Sequence, residues 1–203
     1  MSATHTRADV VLVDGGGTNI GSVRYALQRL GVEAPLSVDA ARIRRASHVI
    51  LPGVGAAGPA MRRLVELDLV DTLCGLRQPV LGVCLGLQLL FARSRESESP
   101  CLGLIPAEVG HLPEAADLRV PHMGWNRLSA LRPHALLAGL PDDAHAYFVH
   151  SYAAPVGDWT LATTTHGEPF SAIVQKDNFF GMQFHPERSA AVGSLLLKNF
   201  LTL

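Results

Sequence analysis

An α/β fold is what this sequence predicts: a mostly parallel central sheet, helices on both of its faces, and antiparallel strands added in the second half. Three observations lead there. In the first half, strand-length runs that are apolar at nearly every position alternate with stretches whose apolar residues recur at helical spacing. Strands without a polar face belong in a parallel sheet covered on each side. The second half instead holds short β-rich runs separated by turns, the pattern of hairpins.

Taken in order, DVVLVD (9–14) reads as the first strand, followed by the glycine-rich GGGTN. GSVRYALQRLG then reads as a helix, with Val23, Ala26, Leu27 and Leu30 on one face and Gly31 placed as its C-cap. APLSV (34–38) is a second strand and SHVILPG (47–53) a third, ended by Pro and Gly. Residues 59–76 read as helical, and PVLGV (79–83) as a fourth, buried strand. LGLQLLFARS (85–94) is expected to be a helix with Leu85, Leu89 and Leu90 on its apolar face, and ESESP (96–100) a polar loop. RLSAL, AYFVHSY, WTLATTT, SAIVQ and FFGMQF are the β-rich runs, with a turn at KDN, and GSLLLKNFL closes as an amphipathic helix.

With 203 residues, 48% of them hydrophobic, the chain can bury a full core, and we expect one domain over 1–203. A formal net charge of −1 supplies no basic field for nucleic acid or an anionic membrane. Runs such as VVLV and SLLL are far shorter than the ~20 apolar residues of a membrane span. MSATHTRADVVLV has no long apolar region of the secretory kind, and Cys74, Cys84 and Cys101 form no paired framework. A cytoplasmic protein is therefore expected. His111, His122, His134, His145, His150 and His166 are scattered without metal-ligand spacing, so no metal and no cofactor are expected.

Gly82-Val83-Cys84-Leu85-Gly86 sits at the seam between a strand and a helix. The spacing G-x-C-x-G mirrors a nucleophile elbow, in which small residues two places either side let the chain turn sharply and expose the central side chain. The turn aims the N–H of the following residue, Leu85, at the same spot, one donor for an oxyanion. A helix start also favours thiolate. On these residues alone a second reading stays open: Cys84 as a small buried side chain, its glycines serving close packing. A nucleophile needs a base and a group to orient it. GMQFHPERS offers His185 and Glu187, which in an extended chain leave the same face, with Pro186 restricting the backbone between them. The alternative is a strand-end turn with both side chains solvated. Pro52-Gly53-Val54-Gly55 could bring backbone N–H groups close to a ligand oxygen, or could simply end a strand.

Together, LPGVG, GVCLGLQ and GMQFHPE, in that order, resemble the class I (triad) glutamine amidotransferase family, and the likeness spans nearly the whole chain. The resemblance implies that Cys84, His185 and Glu187 form a catalytic triad, with Gly53, Val54, Gly55 and Leu85 at the oxyanion. It implies that Gln88 and Glu96 meet the amino-acid end of a glutamine substrate. Within the family, DGGGTNIGSVRYAL, VPHMGWN (120–126) and YFVHSY (147–152) are similar to the glutaminase subunits of imidazole glycerol phosphate synthases. That likeness implies a (β/α)8-barrel cyclase subunit as heterodimer partner and ammonia as the product passed on, with Trp125 as an interface aromatic or, alternatively, a core one. Two departures stand out. The first loop of that branch usually reads D-Y-G-x-G-N, whereas here Gly15 and Thr18 replace the Tyr and a Gly; and Lys-Ser-Gly after H-P-E is here Arg188-Ser189-Ala190. A glutaminase serving another synthase, a free-standing γ-glutamyl hydrolase and a non-enzymatic subunit are the rival readings. His150 is expected to be a hydrogen-bonded strand residue, and Cys74 and Cys101 structural or incidental.

Overall fold

A computed structural model describes residues 8–16, 20–115 and 118–203. The chain runs through β1 (Val10–Val13), α1 (Ile20–Arg29), β2 (Leu36–Ser37), α2 (Ala40–Arg45), β3 (His48–Gly53), α3 (Ala57–Glu66), α4 (Val70–Cys74), β4 (Val80–Cys84) and α5 (Leu85–Gln88). It continues with β5 (Phe91–Ser94), β6 (Ser99–Pro100), β7 (Ile105–His111), β8 (His122–Arg127), β9 (Ser129–Ala130), β10 (His145–His150) and β11 (Tyr152–Ala153). Last come β12 (Thr160–His166), β13 (Glu168–Lys176), β14 (Phe179–Met182) and α6 (Ala190–Phe200). Gly17, Thr18 and Asn19 of the first loop lie outside the described residues, and with them the Thr18 departure.

The central sheet has eight strands in the order β2-β1-β3-β4-β14-β13-β12-β9. Its first four junctions are parallel and its last three antiparallel. Why the β1 run has no polar face is now plain: Val10 and Leu12 pack with Val23 and Leu27 of α1 and Leu196 and Phe200 of α6. Val11 and Val13 face the other way, onto Ile43 of α2, Leu64 of α3 and Leu73 of α4. Each such side chain, fully buried, contributes about 1.5–3 kcal/mol by transfer from water.

Several expectations need correction. LGLQLLFARS is not one helix: α5 stops at Gln88, and Phe91–Ser94 becomes β5, parallel to β7 and antiparallel to β6. A short apolar run fits either period, and here β pairing, with Phe91 and Ser94 fully buried, wins. Residues 59–76 split into α3 and α4 around Asp68, which adopts φ +53°, a conformation no helix continues through. ESESP is a 3-10 turn at Glu96–Glu98 followed by β6 rather than open loop. FFGMQF is antiparallel to β13 but parallel to β4, with Met182 opposite Val83. That last pairing positions the site, because β4 and β14 then deliver their C-terminal ends to the same edge of the sheet.

Candidate active site

β4 ends at Cys84, and α5 begins at the next residue. Such an abrupt switch requires backbone outside the usual regions: Cys84 has φ 54° and ψ −111°. The flanking glycines are obligatory for a different reason. A Cβ on Gly82 would overlap the Gly86 carbonyl, and one on Gly86 would overlap the Leu51 carbonyl of β3. Only bare backbone lets the first turn of α5 fold back onto two strands at once. Cys84 is thus held by a sharp, crowded turn, 7% exposed, with Val149 O 4.0 Å from its sulfur.

Gly53, at the end of β3, lies opposite Cys84 in the sheet register. Its own Cβ would stand 2.8 Å from the Gly86 nitrogen and 2.9 Å from Leu85 Cβ, so the Pro52–Gly55 loop is pressed against the elbow. Ala56, the N-cap of α3, has no side-chain cap. Glu96 supplies one from a distance, accepting from the Ala57 N–H at 2.9 Å. The loop is in this way tied to the turn that carries Glu96.

His185 and Glu187 meet, though not by the expected route. The chain after β14 tightens into a 3-10 turn over Pro186–Arg188, with Pro186 at its first position. It is this turn, rather than extended backbone, that folds Glu187 back onto the ring: His185 Nδ1 is 2.9 Å from Glu187 Oε1. Neither side chain is solvated; they are 9% and 1% exposed. Ser189 secures the turn, its hydroxyl donating to the His185 carbonyl (2.7 Å) and accepting from the Tyr147 N–H (2.9 Å). Burial by itself would lower the His185 pKa, but the neighbouring Cys84 sulfur and the hydrogen-bonded Glu187 carboxylate outweigh it and push it up to about 10. Imidazole and carboxylate are hydrogen-bonded, and the sulfur and the imidazole line the same cavity.

Beside the sulfur opens a cavity of about 310 Å³. Of the residues singled out in the sequence, Val54, Gly55, Cys84, Leu85, Gln88, Glu96 and His185 line it. Gly53 and Glu187 line a small void behind the loop instead, of about 10 Å³. Val149, His150 and Tyr152, all within the YFVHSY run, also line the cavity, although nothing in that run by itself points to a site. Gln183 is a further omission: fully buried, its Nε2 is 3.9 Å from Cys84 Sγ, and its Oε1 accepts from Gln88 at 3.1 Å. Its place two residues before His185 in GMQFHPE was the available signal. Trp125 is 54% exposed, which removes the core alternative; its ring meets Tyr147 edge-on, and Arg188 lies over the Tyr147 ring at 5.2 Å. Cys74 and Cys101 do not line this cavity, and burial raises both thiols, Cys101 to about 11. A thiol and a carboxylate-held imidazole on one cavity are parts that acyl transfer to sulfur requires.

The model of the class-I glutamine amidotransferase family matches residues 11–203. Over 195 residues the chain is 56% identical to the imidazole glycerol phosphate synthase subunit HisH of Xanthomonas axonopodis pv. citri, spanning 96% of this chain and 98% of that one. It is 54% identical to the protein of the same description from Xylella fastidiosa, with the same coverage. Among solved structures, PurLQS of Thermotoga maritima shares the fold, with a TM-score of 0.73 at 16% identity over 97% of this chain and 98% of that one. Among the described residues no helix is long and apolar enough to cross a membrane.

Proposed function

The chain belongs to the class-I glutamine amidotransferase family, and from that premise we propose that it is the glutaminase subunit of an imidazole glycerol phosphate synthase, acting in histidine biosynthesis. It hydrolyses glutamine to glutamate and ammonia and hands the ammonia to a (β/α)8-barrel cyclase subunit, which makes imidazole glycerol phosphate and aminoimidazole carboxamide ribotide. One observation carries the reading: Cys84 and His185, the latter hydrogen-bonded to Glu187, line one cavity with Gln88 and Glu96.

The Cys84 sulfur attacks the carboxamide carbon of glutamine, and the oxygen takes up the negative charge. N–H groups of Leu85 and of the Gly53–Val54 loop stabilise that oxyanion. His185 gives its proton to the amide nitrogen, the C–N bond breaks, and ammonia leaves a glutamyl thioester. The same imidazole then takes a proton from water, which attacks the thioester and releases glutamate and the thiolate. Glu187, 2.9 Å from Nδ1, keeps Nε2 turned to the sulfur and stabilises the imidazolium. Gln88 and Glu96 hold the amino-acid end of the substrate. A loop such as Pro52–Gly55 is the natural control point, its donor N–H reaching the oxyanion only when the partner's site is filled.

The test is glutamine turnover by the chain alone and with its cyclase partner, with and without that partner's nucleotide ligand. Weak turnover alone, strong stimulation in the complex and none from Cys84→Ala are expected. Full activity of the isolated chain, unchanged by the partner, would contradict the proposal.

A further inference from the structure

Asn126, His122, His150 and Tyr152 form a hydrogen-bonded line across the β8–β10 pair, where His122 and His150 stand directly opposite each other. The direction of every bond in it follows from its ends. The Arg127 N–H donates to Asn126 Oδ1 at 2.8 Å, and Asn126 Nδ2 donates to the Thr165 carbonyl at 2.9 Å. A backbone N–H only donates and a carbonyl only accepts, so the Asn126 amide has one orientation. Its Nδ2, 3.1 Å from His122 Nε2, is therefore the donor there, and His122 carries its proton on Nδ1. That proton points at His150 Nε2, 3.1 Å away, which must accept. His150 in turn carries its proton on Nδ1 and donates to the Tyr152 carbonyl at 2.9 Å.

Both rings accept through Nε2, so both are neutral. Their surroundings agree: they are 5% and 7% exposed, and burial lowers His122 to about 4 and His150 to about 3. Two polar rings among Phe148 and Phe170 are an expensive way to fill space unless their hydrogen bonds serve a purpose.

The far end shows the purpose. The Tyr152 carbonyl accepts a second bond, from Gln88 Nε2 at 2.9 Å, and the same nitrogen donates to Gln183 Oε1 at 3.1 Å. Both N–H groups of the Gln88 amide are engaged by protein, which leaves its Oε1 as the atom to offer a ligand in the cavity. We propose that His122 and His150 are positioning residues for substrate binding: each with its proton on Nδ1, they hold the Tyr152 carbonyl where it receives Gln88 and so present the Gln88 oxygen to a donor on the substrate's amino-acid end. The inference rests on the glutaminase reading and adds to it the device that orients the pocket wall.

The experiment uses the complex with the cyclase partner and glutamine as the probe. Nitrogen NMR of isotope-labelled histidine reads the tautomers, and steady-state kinetics compares His122→Phe and Asn126→Asp with wild type. In Asn126→Asp a carboxylate of the same shape accepts from His122, moves its proton to Nε2 and turns a lone pair toward His150 Nε2, while giving up the bond to the Thr165 carbonyl. Wild type is expected to show both rings neutral with the proton on Nδ1. Each variant is expected to raise KM for glutamine about three- to tenfold, the loss of one hydrogen bond's net contribution. Because the attack geometry is untouched, kcat should stay within about twofold. An Nε2–H tautomer at either ring in wild type overturns the inference, as does an unchanged KM in Asn126→Asp once its His122 proton has moved. A fall in kcat at constant KM overturns it too. A wild-type complex that does not hydrolyse glutamine removes the glutaminase reading and this inference together, a result distinct from a wrong tautomer.

Discussion

Replacing Gly53 by alanine probes the contact between the Pro52–Gly55 loop and the elbow. The added Cβ would stand 2.8 Å from the Gly86 nitrogen and 2.9 Å from Leu85 Cβ, where ordinary contact begins at 3.4 Å. The loop or the elbow must therefore give way by about 0.6 Å. Neither neighbour can swing aside cheaply, because one is backbone and the other is the root of a buried side chain. Overpacking of this size costs roughly 1–3 kcal/mol of stability. Its functional effect should be larger, since the displacement separates the Gly53–Val54 N–H groups from the Leu85 N–H in the oxyanion site proposed above. Loss of one such donor lowers kcat on the order of 10²-fold. Glutamine hydrolysis by the cyclase complex, run beside denaturant unfolding, separates the two effects. Gly53→Ala is expected to lose about 10²-fold in kcat with KM changed less than about threefold. A variant that is destabilised yet turns over at the wild-type rate would refute the assignment of this loop to the oxyanion.

Other outcomes follow from the same geometry. Glu187→Gln keeps the shape but removes the charge 2.9 Å from His185, and glutaminase kcat should fall roughly 10²- to 10⁴-fold with the fold retained by circular dichroism. His185 binds its proton more tightly in the folded chain than its ordinary 6.5, so the stability it contributes is complete below pH 6.5 and lost as pH rises toward about 10. Urea unfolding across that window should show the decline, and Glu187→Gln should flatten it. His122 and His150 act with the opposite sign: their contribution is intact above pH 6.5 and is lost as pH falls toward about 4 and about 3, so His122→Phe should lessen acid destabilisation. Ala190 is exposed and has φ +47°, a conformation glycine adopts without the Cβ penalty; Ala190→Gly is expected to raise stability by about 1 kcal/mol in the same unfolding assay.

What could be read from the sequence depended on whether the reason for a residue was local. β1, β3 and β4 were legible because both of their faces are buried, leaving an apolar run no other element explains. The elbow was legible because the backbone of Cys84 and the crowding at Gly82 and Gly86 impose a residue pattern within a few positions. Phe91–Ser94 is not legible as a strand, because its strand character comes from β7, more than ten residues on, and its apolar spacing fits a helix equally well. The reach of Glu187 to His185 was foreseen, but its cause was not: a 3-10 turn does the work assigned to extended chain. His150 is the hydrogen-bonded strand residue the sequence leads one to expect, but its partners, like those of Gln183 and Tyr152, exist only across strands, through bonds such as His122 to His150 and Gln88 to Tyr152. Nothing in a linear sequence marks which buried polar side chain will be satisfied by which carbonyl.

The central claim is that one sulfur, bent out of the sheet into the cavity it shares with His185, forms the covalent bond to glutamine. Mass spectrometry of the complex after treatment with a glutamine-analogue electrophile tests it directly. One adduct on Cys84, absent in Cys84→Ala and much slower to form in His185→Ala, is the predicted result. An adduct on Cys74 or Cys101 instead, or glutamine hydrolysis surviving in Cys84→Ala, would contradict it.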